Sequence, residues 1–193
     1  MLEVARSKSN AASIVWRQAD ATDLPFEARS FDAVVCQFGW MFFPDKALAM
    51  REARRVLIPG GRLFYDVWDR IENCPVYQEA NNAVHELFPV DPPLFYEAPF
   101  TMYDERQNRK FMNDAGFQDI SVELVSHQGA RMTPDRMAEG VVRGSPIVPE
   151  IQARNGNVGE TITYIAKRLE GRFGSRPFTS PMKALFCEAT APS

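Results

Sequence analysis

Histidine and cysteine are scarce in this sequence, and their scarcity narrows what it can do. Two histidines and three cysteines, Cys36, Cys74 and Cys187, are spread along 193 residues with no Cys-x-x-Cys pair. That set is too poor for a structural zinc, so no metal site is expected. Scattered thiols, odd in number, read as reduced cysteine in a cytoplasmic chain. No run of basic residues exceeds two, and 22 Lys plus Arg stand against 25 Asp plus Glu. The net charge of −3 therefore favours neither nucleic acid nor a membrane surface as a partner. No apolar run approaches the ~20 residues of a membrane span, and the opening MLEVARSKSN lacks the apolar centre of a secretion signal. The glycines never form G-x-G, which removes the phosphate-cradling turn of a dinucleotide site. Lacking that turn and any Tyr-x-x-x-Lys pair, the chain is a poor fit to a nucleotide-dependent reductase.

What is present suits one domain with a real core. Hydrophobic residues make up 45% and charged residues 24% of the chain. The stretch Asp20–Asp69 alternates apolar runs, loops and one helical pattern in the rhythm of an open parallel α/β sheet. Residues 1–8 look like the end of an amphipathic helix with no cap ahead of it. Ser9, Asn10 and Ser13 then loosen the chain before a short strand at Ile14–Ala19, and Leu24-Pro25-Phe26 turns it. Phe31–Cys36, with Val34 and Val35 adjacent, reads as a buried strand. From Asp45 a helix follows, with Ala49, Met50, Ala53, Val56 and Leu57 on one stripe. Pro59-Gly60-Gly61 stops it, and Arg62–Trp68 returns as a strand.

Further on, Pro75–Phe88 fits a helix, and Pro89, Pro92 and Pro93 enforce a loop. The aromatic-rich stretch to Tyr103 is either a lid over a small-molecule pocket or plain packing against the sheet. Asp104–Gln107 has capping-box spacing before a helix that Gly116 ends. Phe117–Ser126 alternates as an edge strand should. Helices follow at Arg136–Arg143, Ile147–Ala153 and Val158–Leu169, the last closed by Gly171. Lys183–Ala189 is the final strand, and the tail to Ser193 is expected to be loose. The core is thus expected in 1–69, 104–126 and 181–190 of a single domain spanning 1–193, with lid-like or substrate-side segments at 70–103 and 130–175.

Three pieces in order, D-A-x-x-L-P-F from Asp20, S-F-D-A-V-V from Ser30 and R-V-L-x-P-G-G-R-L from Arg55, carry a family likeness. Together with D-A-G-F at Asp114–Phe117, they resemble class I S-adenosylmethionine-dependent methyltransferases. The likeness is nearest to the group of ubiquinone/menaquinone C-methyltransferases and related small-molecule enzymes. The resemblance implies an α/β, Rossmann-like sheet, mostly parallel with its last strand antiparallel, and a helical lid-like insertion. It implies S-adenosylmethionine as cofactor, with Asp20 taking the adenine amino group and the Ala21 N–H a ring nitrogen. Gln37, Phe38 and Gly39 would line the methionine half near the transferable methyl. By residue chemistry alone Asp20 could instead cap a turn, and Gln37 could be ordinary loop. A small-molecule substrate is implied, with no nucleic acid and no membrane span. A homodimer stays open. No catalytic residue is identified: His85 and His127 are the available imidazoles, and a lone histidine is as readily structural.

The family's glycine-rich loop and ribose-binding acid are both missing. MLEVAR matches the helix that follows that acid, so the chain is expected to lack about one strand–helix–strand unit. On this expectation the strand at Ile14–Ala19 has no neighbour, apolar faces lie bare, and the cofactor binds poorly without upstream residues. The competing reading is a non-catalytic methyltransferase-like fragment or subunit acting through association.

Overall fold

The computed structural model describes residues 2–8 and 13–193. Ser9 and Asn10, taken above as the loosening of the chain, lie outside them. Four strands form one sheet: β1 (Phe31–Gln37), β2 (Leu57–Trp68), β3 (Gln118–Gln128) and β4 (Pro181–Thr190), ordered β1-β2-β4-β3. β1 and β2 are parallel, and β4 runs antiparallel between β2 and β3. The expected mostly parallel α/β sheet with an antiparallel last strand is therefore the observed one. β3 pairs with β4 alone and is an edge, as its alternation foretold.

A short helix α1 (Leu2–Arg6) opens the described chain and has no buried residue. Helix α2 (Lys46–Val56) forms where the apolar stripe predicts it. Asp45 caps it by accepting from the Leu48 N–H, Arg54 and Arg55 face its negative end, and Ala49, Met50, Ala53 and Val56 are buried. Helix α4 (Glu105–Asp114) is capped by Asp104, which accepts from the Arg106 N–H. Both helices lie on the sheet face presenting Leu63, Tyr65, Val67, Leu185 and Cys187, and this contact is the main core. The opposite face is thinner: Phe64, Trp68 and Phe186 are half-buried, and Val35 of β1 is 71% exposed.

A second core gathers the helices α3 (Pro75–Leu87), α5 (Pro134–Arg143), α6 (Ile147–Ala153) and α7 (Val158–Phe173) around Ala80, Val84, Ile147, Ile151 and Ile165. An ionic lattice ties α3 to α7. Glu79 is bracketed by Arg168 and Arg172 at 2.8 Å each, and Arg168 also reaches Glu86 at 2.6 Å. An aromatic chain, Trp68–Phe100–Tyr77–Tyr96, crosses from the sheet into this cluster.

Five expectations need correction. Ile14–Ala19 is not a strand: Ile14 and Val15 are exposed, the segment joins no sheet among the described residues, and the Trp16 carbonyl accepts from the Arg6 side chain at 3.1 Å instead. Phe31–Gln37 is a strand, but it lies at the sheet edge, so adjacent valines did not mean burial on both faces. Pro59-Gly60-Gly61 does not precede β2 but lies within it, at an irregularity between Phe31 and Ala33 of β1. There Gly60 takes φ +78°, and a Cβ on buried Gly61 would meet the Ile58 and Asp32 carbonyls at 3.0 and 3.2 Å. Helix α7 runs past Gly171 to Phe173, and Gly174, at φ +82°, is the residue after it. Finally, the tail is anchored: Ala191 is fully buried, its N–H donates to Gly61 O at 2.8 Å, and its carbonyl accepts from Gly60 N at 2.9 Å.

Candidate functional site

The carboxyl ends of the parallel strands are where an open α/β sheet places its ligands. At the end of β1 the chain turns sharply through Gln37, Phe38 and Gly39. Phe38 adopts φ +49°, a left-handed conformation unusual for a bulky residue. Its ring is stacked on Trp68, the last residue of β2, at 4.2 Å and 19° between planes. Gly39 lies close to Cys36: a Cβ there would stand 2.8 Å from Cys36 Sγ and push that side chain aside. Burial raises the Cys36 thiol above its usual pKa, and the same cause pushes Cys187 up to about 12. Neither cysteine is a ready nucleophile. Trp40 follows at once, buried against Tyr65 and Phe43, and fixes the turn to the core.

Asp20 and Ala21 lie in the loop after the extended segment. Asp20 Oδ1 accepts from Thr22 N at 2.8 Å and from Thr22 Oγ1 at 2.7 Å. The Thr22 N–H and then its hydroxyl hold the Asp20 carboxyl below the ordinary carboxylate range. The side chain is exposed and ionised. It caps a turn, and both of these bonds fall on one oxygen. Ala21 packs against the main core, as Val34, Cys36 and Phe38 do. Each predicted group thus reaches the main core through one residue, Ala21 or Phe38, and Gln37 is exposed.

The loop itself is held by a clamp that sequence reading missed. Arg55 donates to Phe26 O at 2.8 Å and to Leu24 O at 2.9 Å, while Glu52 accepts from Leu24 N at 2.9 Å and pairs with Arg55 at 2.7 Å. The i, i+3 spacing of Glu52 and Arg55 was the visible signal, but not what they hold. The Arg55 hydrogen bond, ahead of that from Leu24 N–H, keeps the Glu52 carboxyl below its usual pKa. A depressed folded-state pKa stabilises above the unfolded value of ~4.3 and loses that contribution as pH falls through the folded one. Protection of the Leu24 amide, its exchange relative to an unstructured chain at the same pH, is accordingly expected to fall as the pH drops through the depressed Glu52 value, and to be low already at neutral pH in Glu52→Ala.

Three cavities collect at this end of the sheet. One, of about 330 Å³, is lined by Phe38, Asp66, Trp68, His127, Met182 and Phe186. Asp66 was not singled out from sequence; it pairs with Gln37 across β1–β2, and burial raises its carboxyl pKa. His127 lines this cavity, whereas His85 instead lies 3.0 Å from Glu97 Oε1. A second, apolar cavity of about 240 Å³ lies among Cys74, Tyr77, Met132, Met137, Val141 and Met182. The third, of about 300 Å³, is polar and begins two residues beyond Trp68, at Arg70. Among the described residues no group of three or more His, Cys, Asp or Glu could hold a metal ion. Nor is any helix there long and apolar enough to cross a membrane.

Residues 1–65 match the model of the methyltransferase domain family. A demethylmenaquinone methyltransferase of Staphylococcus carnosus is 45% identical over 135 residues, covering 64% of this chain and 56% of that protein. A ubiquinone/menaquinone biosynthesis C-methyltransferase of Cronobacter sakazakii is 33% identical over 139 residues, covering 63% and 54%. A demethylmenaquinone methyltransferase of Deinococcus radiodurans is 48% identical over 65 residues, which is 33% of this chain and 27% of that one. The chain thus spans between about a quarter and just over half of these relatives' lengths. Among solved structures, the YcgJ protein of Bacillus subtilis superposes with a TM-score of 0.62 at 16% identity, covering 100% of this chain and 79% of that one. The cyclase SpnF does so at 0.54 and 18%, covering 98% and 60%. Residues 1–65 thus match the methyltransferase-domain model, and the described chain shares the α/β, Rossmann-like fold of these solved structures.

Proposed function

We propose that this polypeptide takes part in methyl transfer from S-adenosylmethionine to a small-molecule acceptor, a reduced quinone-type ring methylated at carbon. The observation that carries the reading is the left-handed Phe38 turn at the carboxyl end of β1, stacked on Trp68 and bordered by cavities, in a sequence 45% identical to a demethylmenaquinone methyltransferase. Asp20 would accept from the adenine amine, and the Ala21 N–H would meet the neighbouring ring nitrogen. The Phe38–Trp68 pair offers a π face to a cationic sulfonium. When bound, the cofactor would supply an activated methyl: the acceptor's ring carbon would bond to it as the S–C electron pair returned to sulfur, and the ring C–H proton would leave to solvent. What the chain contributes is positioning, with 70–103 and 130–175 closing over the acceptor. The residues fit the two ends of the cofactor but not its middle: the sequence holds no glycine-rich loop and no ribose-binding acid after one. Full binding therefore calls for a glycine-rich loop and a ribose-binding acid beyond what these residues supply.

A second reading has its own observation. The thin sheet face, with Val35 71% exposed, favours a methyltransferase-like subunit that works through association. Calorimetric titration of S-adenosylhomocysteine decides between them. The methyl-transfer reading expects weak binding to this chain, tight binding once a strand–helix–strand unit carrying that loop and acid is fused ahead of it, and about 10- to 100-fold loss in Asp20→Ala of the fused form. Absence of binding in both forms would leave the associative reading.

A further inference from the structure

The apolar cavity of about 240 Å³ has walls that offer nothing to a charged ligand: no Asp, Glu, Lys, Arg or His lines it. Two of its few polar side chains are spent inside the fold. The Cys74 thiol donates to Lys183 O at 3.8 Å, and the Ser180 hydroxyl to Pro181 O at 3.4 Å. Three methionines, Met132, Met137 and Met182, line it as well, and their unbranched thioethers adapt to the shape of an apolar guest. Met132 is 39% exposed, so the cavity opens to solvent there. Gly140, inside α5, also lines it. Glycine weakens a helix interior, and neither a positive φ nor a close neighbour calls for one here: a Cβ would meet no atom within 4 Å. What the bare position leaves is room at the cavity wall, one helical turn from Met137 on the same flank.

Position ties this cavity to the candidate site. Met182 lines both it and the cavity bounded by Phe38, Trp68 and Asp66. Its walls also come from the two segments proposed to close over the acceptor, with Cys74 and Tyr77 from 70–103 and Met137 and Gly140 from 130–175. An acceptor seated at the Phe38 turn therefore has an apolar chamber beside it. Volume then bounds the guest. An apolar cavity of about 150 Å³ takes a six-carbon ring such as benzene, so about 240 Å³ takes about ten carbons. We infer that this cavity holds a hydrocarbon substituent of the acceptor, of up to about ten carbons, with Gly140 and Met137 setting the size limit. The inference rests on the methyl-transfer reading for the word acceptor, and on the cavity alone for the ligand class and its limit.

The test needs no cofactor. Straight-chain alcohols from 1-butanol to 1-dodecanol are titrated into the 193-residue chain. Affinity is read by calorimetry, and the methionine methyl signals are followed by NMR. Affinity should rise about fourfold per added carbon, the worth of one buried CH2, and level off near about ten carbons. The methyl signals of Met132, Met137 and Met182 should shift, while those of Met50 and Met112, fully buried in the main core, stay still. Gly140→Leu should raise Tm by about 2 °C through helix propensity, leave 1-butanol unchanged and weaken 1-decanol at least about tenfold. Met137→Gln, close in size but polar, should weaken 1-decanol about tenfold. A merely structural Gly140 would not couple a higher Tm to loss of the long alcohols alone. Affinity that climbs with length and never levels, shifts at Met50 and Met112, 1-decanol binding unaltered in both variants, or no binding at all would each overturn the inference. Alcohol binding here without S-adenosylhomocysteine binding in any form would keep the cavity's ligand class and sink the methyl-transfer reading, and the reverse outcome would do the opposite.

Discussion

Asn108→Leu is expected to cost about 3–5 kcal/mol of stability, although leucine matches asparagine closely in size. Asn108 is completely buried and uses its amide three ways: Oδ1 accepts from Tyr65 Oη at 3.0 Å, and Nδ2 donates to Met102 O at 2.7 Å and Asp104 O at 2.8 Å. Leucine fills the space but strips Tyr65 Oη and Met102 O of their bond, while Asp104 O keeps the backbone N–H of residue 108 at 3.0 Å. Tyr65 is itself 1% exposed, and burial raises its phenol pKa, so water does not replace the lost acceptor. The bonds also fasten the residues just before α4 to the middle of β2, so their loss should loosen the 102–104 approach. Urea denaturation measures the effect. Tyr65→Phe in the same chain should recover about 1 kcal/mol, because it deletes the orphaned hydroxyl. A loss below 1 kcal/mol in Asn108→Leu would mean that water reaches the site.

Trp40→Ala should cost a similar amount, about 3–5 kcal/mol, by another route. Its indole is 2% exposed and lies 4.9 Å from Tyr65 and 5.5 Å from Phe43, ring centre to ring centre. Truncation opens a hole in the main core and frees the residues directly after Gly39. Stability and the Phe38 geometry should therefore fail together: the denaturation midpoint falls, and the ring-stacking shift of Trp68 in the NMR spectrum disappears. Trp40→Phe, which retains an aromatic filler, should keep the stacking and most of the stability. Loss of stability with the Trp68 shift intact would separate the turn from the core beneath it.

Both residues show how far the sequence could be read. Helix α2 was legible because its cap, stripe and terminal charges are local: Asp45, Ala49, Ala53 and Arg54 lie within ten residues. Edge strand β3 was legible from alternation alone. Ile14–Ala19 misled because a strand is defined by its neighbour, and composition does not reveal whether a neighbour exists. The tail misled for a related reason. Ala191 is held by Gly60 and Gly61, some 130 positions back, through a bulge that a Pro-Gly-Gly stop signal did not disclose. At the candidate site, Asp20, Ala21 and the 37–39 turn came from motif resemblance. The Glu52–Arg55 clamp, the pairing of Asp66 with Gln37 and the cavity that Gly140 borders depend on chain segments meeting from a distance.

The strand order has a consequence for how the molecule is made. β4 lies between β2 and β3, yet it follows every other element in the described chain. On a ribosome, β3 emerges with no strand to pair with and must wait for more than fifty further residues before β4 arrives. In that interval α3, α5, α6 and α7 are already out and can assemble around their own apolar cluster. The nascent chain should thus pass through a stage with its helices packed and its sheet split between β2 and β3. The split state exposes strand edges on both sides of the gap, and these are the surfaces a holding chaperone would cover until the last ten-residue strand slots in.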